Sequence, residues 1–326
     1  MTDITPDQIT IAITVYNRRK YLKQAIDSAL DQTVPVRVIV VEDCGPDPTL
    51  EAFVKAEFGD RVTYIRNPRR RGLFGNWNAC IEYCQTPWLS ILHDDDYLAP
   101  NFVEAMIKTA ALAPGRSLYF GQATVVTAEG KPSPLYSLEP MTTPWRESRL
   151  EEILYLTPFP FAGHIFCVAD ALQVGCFRTF SQYCGDWETW ALLIQLHGAA
   201  KSKERVAFTR SHDGPERGTN KIILGGRLRP LTFVQHKRIL MLLRKSGRTA
   251  VFDRRDFMRR VPMAIRYLLR YGAGLSPRML RYHYGLLLLS KSPHVSYGSF
   301  QFLARLLGLR FLRILSQFFG RFVHCD

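Results

Sequence analysis

The 326-residue chain lacks any apolar run of the ~18 residues that a membrane-spanning helix requires. Its longest candidate, Gly285-Leu286-Leu287-Leu288-Leu289, is far too short, and no spanning helix is expected. The first residues, Met1 to Gln8, lack the basic start and apolar core of a secretory signal, so none is expected there. No CxxC pair occurs among the seven cysteines at 44, 80, 84, 167, 176, 184 and 325. An odd, scattered set argues against a disulfide framework and for reduced thiols packed as small hydrophobes, as in a cytosolic protein. Cys80 and Cys84 lie one helical turn apart without plausible zinc partners nearby, so core packing is the expected use. Internal repeats and low-complexity tracts are also missing, which excludes solenoids and disordered polymers.

Acidic residues are scarce at one end only. From Lys221 onward there are 21 Lys and Arg against 3 Asp and Glu, whereas residues 1–220 carry 22 and 26. The net charge of +14 therefore belongs to the last third. A nucleic-acid-binding chain would be expected to show a reading module or a basic face on the first part, and neither is present, so no nucleic-acid partner is expected. A near-neutral enzyme with a basic docking segment fits the division.

What is there begins with alternating strand and helix signals. Ile9 to Val15 reads as a buried strand, Tyr21 to Asp31 as a helix, and Val36 to Val41 as a nearly all-apolar strand. Pro48 to Phe58, Val62 to Ile65, Asn76 to Tyr83 and Trp88 to Leu92 continue the alternation as helix, strand, helix and strand. Such a pattern predicts right-handed βαβ units around a parallel sheet. Further on, a helix is expected from Pro100 to about Ala113 and strands over Leu118 to Thr127 and Lys203 to Thr209. Gly163 to Asp170 should be strand-like before a short helix, and Asp186 to His197 should be helical. Lys131 to Thr143 is Pro-rich and irregular.

Three of these strands end in polar clusters: Thr14-Tyr16-Asn17, Glu42-Asp43, and the run His93-Asp94-Asp95-Asp96. In an open α/β sheet, ligands bind at the carboxyl ends of the strands, so the clusters should share one site. Three adjacent carboxylates repel one another, and a hard divalent cation, Mg²⁺ or Mn²⁺, would offset that repulsion. A solvated turn is the plainer reading of the run taken alone. Asp43, between a buried strand and the turn Cys44-Gly45-Pro46-Asp47, can accept a hydrogen bond from a nucleobase or stabilise the turn. Arg69-Arg70-Arg71-Gly72 precedes a helix start and suits a diphosphate, with Arg71 the expected contact and Arg69 and Arg70 solvated.

Taken in order, these segments resemble the inverting family 2 glycosyltransferases of the GT-A fold. The resemblance runs through Thr14-Val15-Tyr16-Asn17, Val40 to Asp47, Asn67 to Asn78 and Leu92 to Asp96. It continues in Cys184-Gly185-Asp186-Trp187-Glu188-Thr189-Trp190 and Arg210-Ser211-His212-Asp213-Gly214, about two hundred residues in all. It implies a Rossmann-like, mostly parallel sheet flanked by helices over 1–220, with a nucleotide-sugar half at about 1–98 and an acceptor half at about 99–220. A basic helical extension, 221–326, would follow. The resemblance also implies that Thr14, Tyr16, Asn17, Asp43, Arg71 and Asn76 bind the nucleotide and that Asp94 reaches the donor sugar. Asp95 and Asp96, with His212, would hold the metal, and Asp186 would be the catalytic base, an N-cap role being the competing reading. The chain departs from the family pattern at Glu42, where Asp is usual, at Cys44, where Gly is usual, and at His93, where the first Asp of the acidic motif often stands.

The implied activity is metal-dependent, inverting sugar transfer from a nucleotide diphosphate, UDP or dTDP favoured, to a glycan or lipid-linked acceptor in polysaccharide assembly. A nucleotidyltransferase would also use a metal on an α/β sheet, but it should show a Gly-rich loop after the first strand, where Tyr16-Asn17-Arg18-Arg19 stands instead. Near the end, Leu307, Phe311, Ile314, Leu315, Phe318 and Phe322 fall on one helical face, with Arg305, Arg310 and Arg313 on the other. A helix of that kind suits an anionic membrane surface, and the expected location is cytoplasmic, peripheral on the inner face of the membrane.

Overall fold

The structure, a computed structural model, describes residues 4–133, 141–148, 161–179 and 185–211. The expectations for Cys184, His212 and everything from 221 onward lie outside the described residues. Nine strands form one sheet.

The first half follows from its apolar runs. β1 (Ile9–Val15) is buried at all seven positions, as its unbroken run of small and β-branched residues requires for a strand covered on both faces. β2 (Arg37–Glu42), β3 (Thr63–Arg66) and β4 (Trp88–His93) all run parallel with it or with one another. Helices α1 (Leu22–Leu30), α2 (Leu50–Phe58) and α3 (Gly72–Tyr83) make the crossovers. The register is the point that matters for function. Thr14 pairs with His93, and Val15 pairs with Glu42. The polar ends of β1, β2 and β4 are therefore level, as the parallel reading expected.

Helix α3 begins about one turn before the expected Asn76. The reason is a long-range cap: the Asp43 carboxylate accepts from the backbone N–H groups of Arg71 (2.6 Å) and Gly72 (2.9 Å). These are orphan donors of a helix start, which a carboxylate satisfies well.

The second half is mixed rather than parallel. After the acidic turn come β5 (Tyr97–Leu98), α4 (Phe102–Leu112), β6 (Leu118–Val126) and β7 (Trp145–Ser148). They are followed by β8 (His164–Cys167), α5 (Val168–Gln173), α6 (Gly185–His197) and β9 (Ala199–Arg210). β8 runs antiparallel to both β4 and β6, while β9 is parallel to β6 and antiparallel to β5 and β7. Among the described residues no helix is long and apolar enough to cross a membrane.

Candidate active site

The site is built on the carboxyl ends of β1, β2 and β4, over a floor tied together by hydrogen bonds to one buried carboxylate. Glu42, fully buried, accepts from the Gly45 N–H (2.7 Å), from the Tyr64 hydroxyl and from Arg66 Nη1 (2.5 Å). Burial next to that carboxylate pushes the Tyr64 phenol well up, so it stays a donor. A Cβ on Gly45 would lie 1.7 Å from the Tyr16 carbonyl oxygen, so the loops after β1 and β2 touch backbone to backbone and only glycine fits. Cys44 takes a left-handed φ of 49° to make the turn.

Around this floor stand most of the nucleotide residues inferred from the sequence. The buried Thr14 donates to the Leu92 carbonyl (3.3 Å). Tyr16 is half-buried beneath the Arg70 guanidinium, 4.3 Å from its ring centroid, and Asn17 is exposed. Asp43 serves as the cap of α3 described above. Asn76 is buried and faces inward: its amide donates to the Val41 carbonyl (3.1 Å) and accepts from Asn67 (2.9 Å). It thus supports the pocket from behind. Arg71, the expected diphosphate contact, turns its guanidinium onto Glu82 in a two-pronged pair at 2.6 Å. Arg70, expected to be solvated, is exposed, with its guanidinium over the Tyr16 ring.

The acidic turn joins β4 to β5. Asp94, Asp95 and Asp96 are each less than a tenth exposed. Desolvation pushes the Asp94 carboxyl up to about 7 against the pull of Arg18, and burial with the Asp95 charge raises Asp96 well above the carboxylate range. Arg18 bridges two of the three: Nη2 pairs with Asp94 and Nη1 with Asp95 at 2.5 Å. Such crowded carboxylates are stabilised by cations, and a divalent ion does so most effectively.

His93 completes the set. One ligand atom each from His93, Asp95 and Asp96 lies within 4.8 Å of the others. Burial holds the imidazole down at about 4, so it is neutral near pH 7 and able to ligate, and its buried Nε2 has no hydrogen-bond partner among the described residues. The ring is fixed by stacking on Phe161 at 4.2 Å and on Trp77 at 5.5 Å. The two carboxylates suit Mn²⁺ or Mg²⁺, and the imidazole nitrogen beside them favours Mn²⁺, the less hard of the two. The sequence marked His93 only as a departure. The signal that could have found it is its position, the last residue of a buried strand and next to the acids.

Asp186 opens α6. The helix start is seated on α3, where a Cβ on Gly185 would meet the Phe74 ring at 2.7 Å. Desolvation pushes the Asp186 carboxyl up to about 6, against hydrogen bonds from the Trp187 and Asp186 backbone N–H groups. A carboxyl near 6 at a helix start is mostly ionised at neutral pH and is chemically able to take a proton. Two further residues were missed as individuals, Arg18 and Arg210. Both are cations whose partners lie far away in sequence, Arg18 being 76 residues from Asp94.

Comparison with known proteins identifies the family and the fold. Residues 10–173 match the family model described as glycosyl transferase family 2. The succinoglycan biosynthesis protein ExoO of Rhizobium meliloti (strain 1021) is 35% identical over 136 residues, 41% of this chain and 38% of that protein. An uncharacterized glycosyltransferase of Rickettsia typhi is 25% identical over 221 residues, 65% of this chain and 66% of that one. The chain thus spans about two fifths to two thirds of the length of these relatives. Among solved structures, S. aureus TarS 1–349 in complex with UDP-GlcNAc superposes with a TM-score of 0.55 at 16% identity, covering 83% of this chain and 82% of that one. The mannosyltransferase PcManGT from Pyrobaculum calidifontis, in complex with GDP-Man and Mn²⁺, gives 0.53 at 15% identity, covering 89% and 84%. These likenesses show the fold as that of GT-A glycosyltransferases. With the family model spanning half of its residues, the chain belongs to glycosyl transferase family 2.

Proposed function

We propose that this glycosyltransferase moves a sugar from a nucleotide diphosphate, UDP or dTDP favoured, to a hydroxyl of a glycan or lipid-linked acceptor, with inversion and with Mn²⁺ or Mg²⁺. The observation that carries the reading is the convergence of His93, Asp95 and Asp96 at the end of β4. The resemblance to a polysaccharide biosynthesis protein supports a role in polysaccharide assembly, and the solved relatives holding UDP-GlcNAc or GDP-Man with Mn²⁺ support the donor class.

In this reading Thr14, Tyr16 and Asn17 line the nucleotide pocket, and Asp43, already holding α3, offers its remaining lone pairs to the base. Arg70 or a released Arg71 faces the diphosphate, and Asp94 faces the sugar. His93, Asp95 and Asp96 would hold the cation, which supplies charge neutralisation for the leaving diphosphate. His212 remains a further ligand candidate. Asp186 takes the proton of the acceptor hydroxyl as its oxygen bonds the anomeric carbon and the bond to the diphosphate breaks on the opposite face. A single displacement inverts configuration. The basic segment from Lys221 onward would dock on the anionic inner surface of the cytoplasmic membrane, where a lipid-linked acceptor is presented.

A thermal-shift series on the full chain tests the reading. UDP, dTDP and GDP are titrated with and without Mn²⁺, and the best nucleotide is followed into donor-sugar turnover. A ligand at a hundred times its Kd stabilises by about 2.7 kcal/mol. A nucleotide shift that needs Mn²⁺ and vanishes in Asp95→Ala is the expected result. No Mn²⁺-dependent shift with any of the three would sink the metal assignment.

A further inference from the structure

Arg210 closes β9 and is only 4% exposed, yet no carboxylate pairs with its guanidinium among the described residues. Its donors go elsewhere. Nε donates to the Asp95 carbonyl (3.0 Å), Nη1 to the carbonyls of Ala128 (2.6 Å) and Thr127 (3.3 Å), and Nη2 to Gln24 Oε1 (2.5 Å). The planar group lies 4.2 Å from the Tyr21 ring and 5.5 Å from the Tyr97 ring. Its own backbone N–H donates to Asp96 Oδ1 (2.8 Å). Burying a cation is costly, and simple packing at a strand end does not call for one.

We propose that Arg210 is a positioning residue for the acidic turn, the part that aims the Asp95 and Asp96 carboxylates at a shared cation. The inference rests on the metal reading above. By holding the Asp95 carbonyl, Nε fixes the peptide between Asp95 and Asp96, and with it the direction of both side chains. By engaging Asp96 Oδ1, the backbone N–H leaves Oδ2 as the oxygen on the His93 side, 3.8 Å from Nδ1. The remaining donors anchor the guanidinium to α1 and to the turn after β6. A fork is needed because the acceptors lie on three separate segments. An ammonium presents its donors from one point and cannot reach them together.

The test uses the full chain and Mn²⁺ alone as probe, with the free ion counted by electron paramagnetic resonance. Arg210→Met should weaken Mn²⁺ binding by about ten- to a hundredfold, the usual effect of losing a partner that orients metal ligands. Arg210→Lys should restore little of it. Gln24→Ala removes one anchor at an exposed position, so it should keep the wild-type melting temperature and still weaken Mn²⁺ severalfold. Donor KM measured with Mn²⁺ should rise in step. Unchanged Mn²⁺ affinity in a folded Arg210→Met chain overturns the inference, as does full rescue by lysine. Should Arg210→Met fail to fold, Gln24→Ala decides: weaker binding supports the role, unchanged binding refutes it. Wild-type protein that binds no Mn²⁺ removes the metal reading itself, whereas wild-type binding with unaltered variants removes only the role of Arg210.

Discussion

Asp186→Asn should cost the enzyme its turnover and make it more stable, and the gain should depend on pH. The carboxyl sits near 6 in the folded chain against 3.8 as its ordinary value, because burial disfavours its charge. Folded protein therefore holds the proton more tightly than unfolded protein, and stability falls as pH rises through that window. A difference of roughly two pH units corresponds to about 3 kcal/mol of strain on the ionised form above pH 7. Asparagine carries no charge and keeps an acceptor for the Trp187 N–H. Its advantage should be about 3 kcal/mol at pH 7.5 and shrink to about 1 kcal/mol at pH 4.5, where the folded carboxyl is already neutral. Urea unfolding of both proteins at the two pH values measures this, with turnover followed in parallel. The wild-type kcat/KM should climb about tenfold per pH unit below 6 and level off above it. A gain of equal size at both pH values, or none at pH 7.5, would show that Asp186 is not a desolvated carboxylate. Near-normal turnover in the variant would make it a helix cap and nothing more.

Asp43→Ala should destabilise the chain by about 2–3 kcal/mol, because two N–H groups at the start of α3 lose a charged acceptor, and Asp43→Asn by about 1 kcal/mol; denaturant unfolding without nucleotide checks this apart from any role in base binding. Gly45→Ala, whose new methyl would collide with the Tyr16 carbonyl, should cost at least about 3 kcal/mol or prevent folding, and a wild-type melting temperature would refute the contact. Removing 298–326 should release the protein from anionic vesicles in a salt-sensitive co-sedimentation assay while sparing donor hydrolysis; full-length protein that ignores such vesicles at low salt would refute membrane docking.

Much of the first half of the sheet was legible because its signals are local. Ile9 to Val15 and Trp88 to Leu92 are apolar runs that end where polar residues begin, and parallel pairing then brings those ends level. The less legible parts depend on partners distant in sequence. The start of α3 is set by Asp43, 28 residues before Arg71. β5 is two residues long and exists as a strand only because Tyr97 and Leu98 pair with Phe208 and Ala207. β9 begins at Ala199, before the expected Lys203, because the Ala-Ala-Lys-Ser stretch has little strand propensity of its own but pairs with β6 and β7. Arg71 reads as a phosphate contact until Glu82, a few turns along the same helix, is seen to hold it. His93 reads as an interruption of an acidic motif until its neutral, stacked ring is seen beside two carboxylates.

The narrow join at β4 has a consequence for how such chains can be recombined. β4 pairs with β1 from Ile9↔Trp88 to Thr14↔His93, but with β8 only at Trp88↔Cys167 and Leu89↔Phe166. A graft that replaces β6 through β9 would break little of the backbone ladder that joins β1 to β4. It would, however, cut the second attachment, where β5 and the acidic turn lean on the end of β9. On the proposed role of Arg210, a chimera that keeps β1 to β5 under foreign strands must import an arginine at that position along with them.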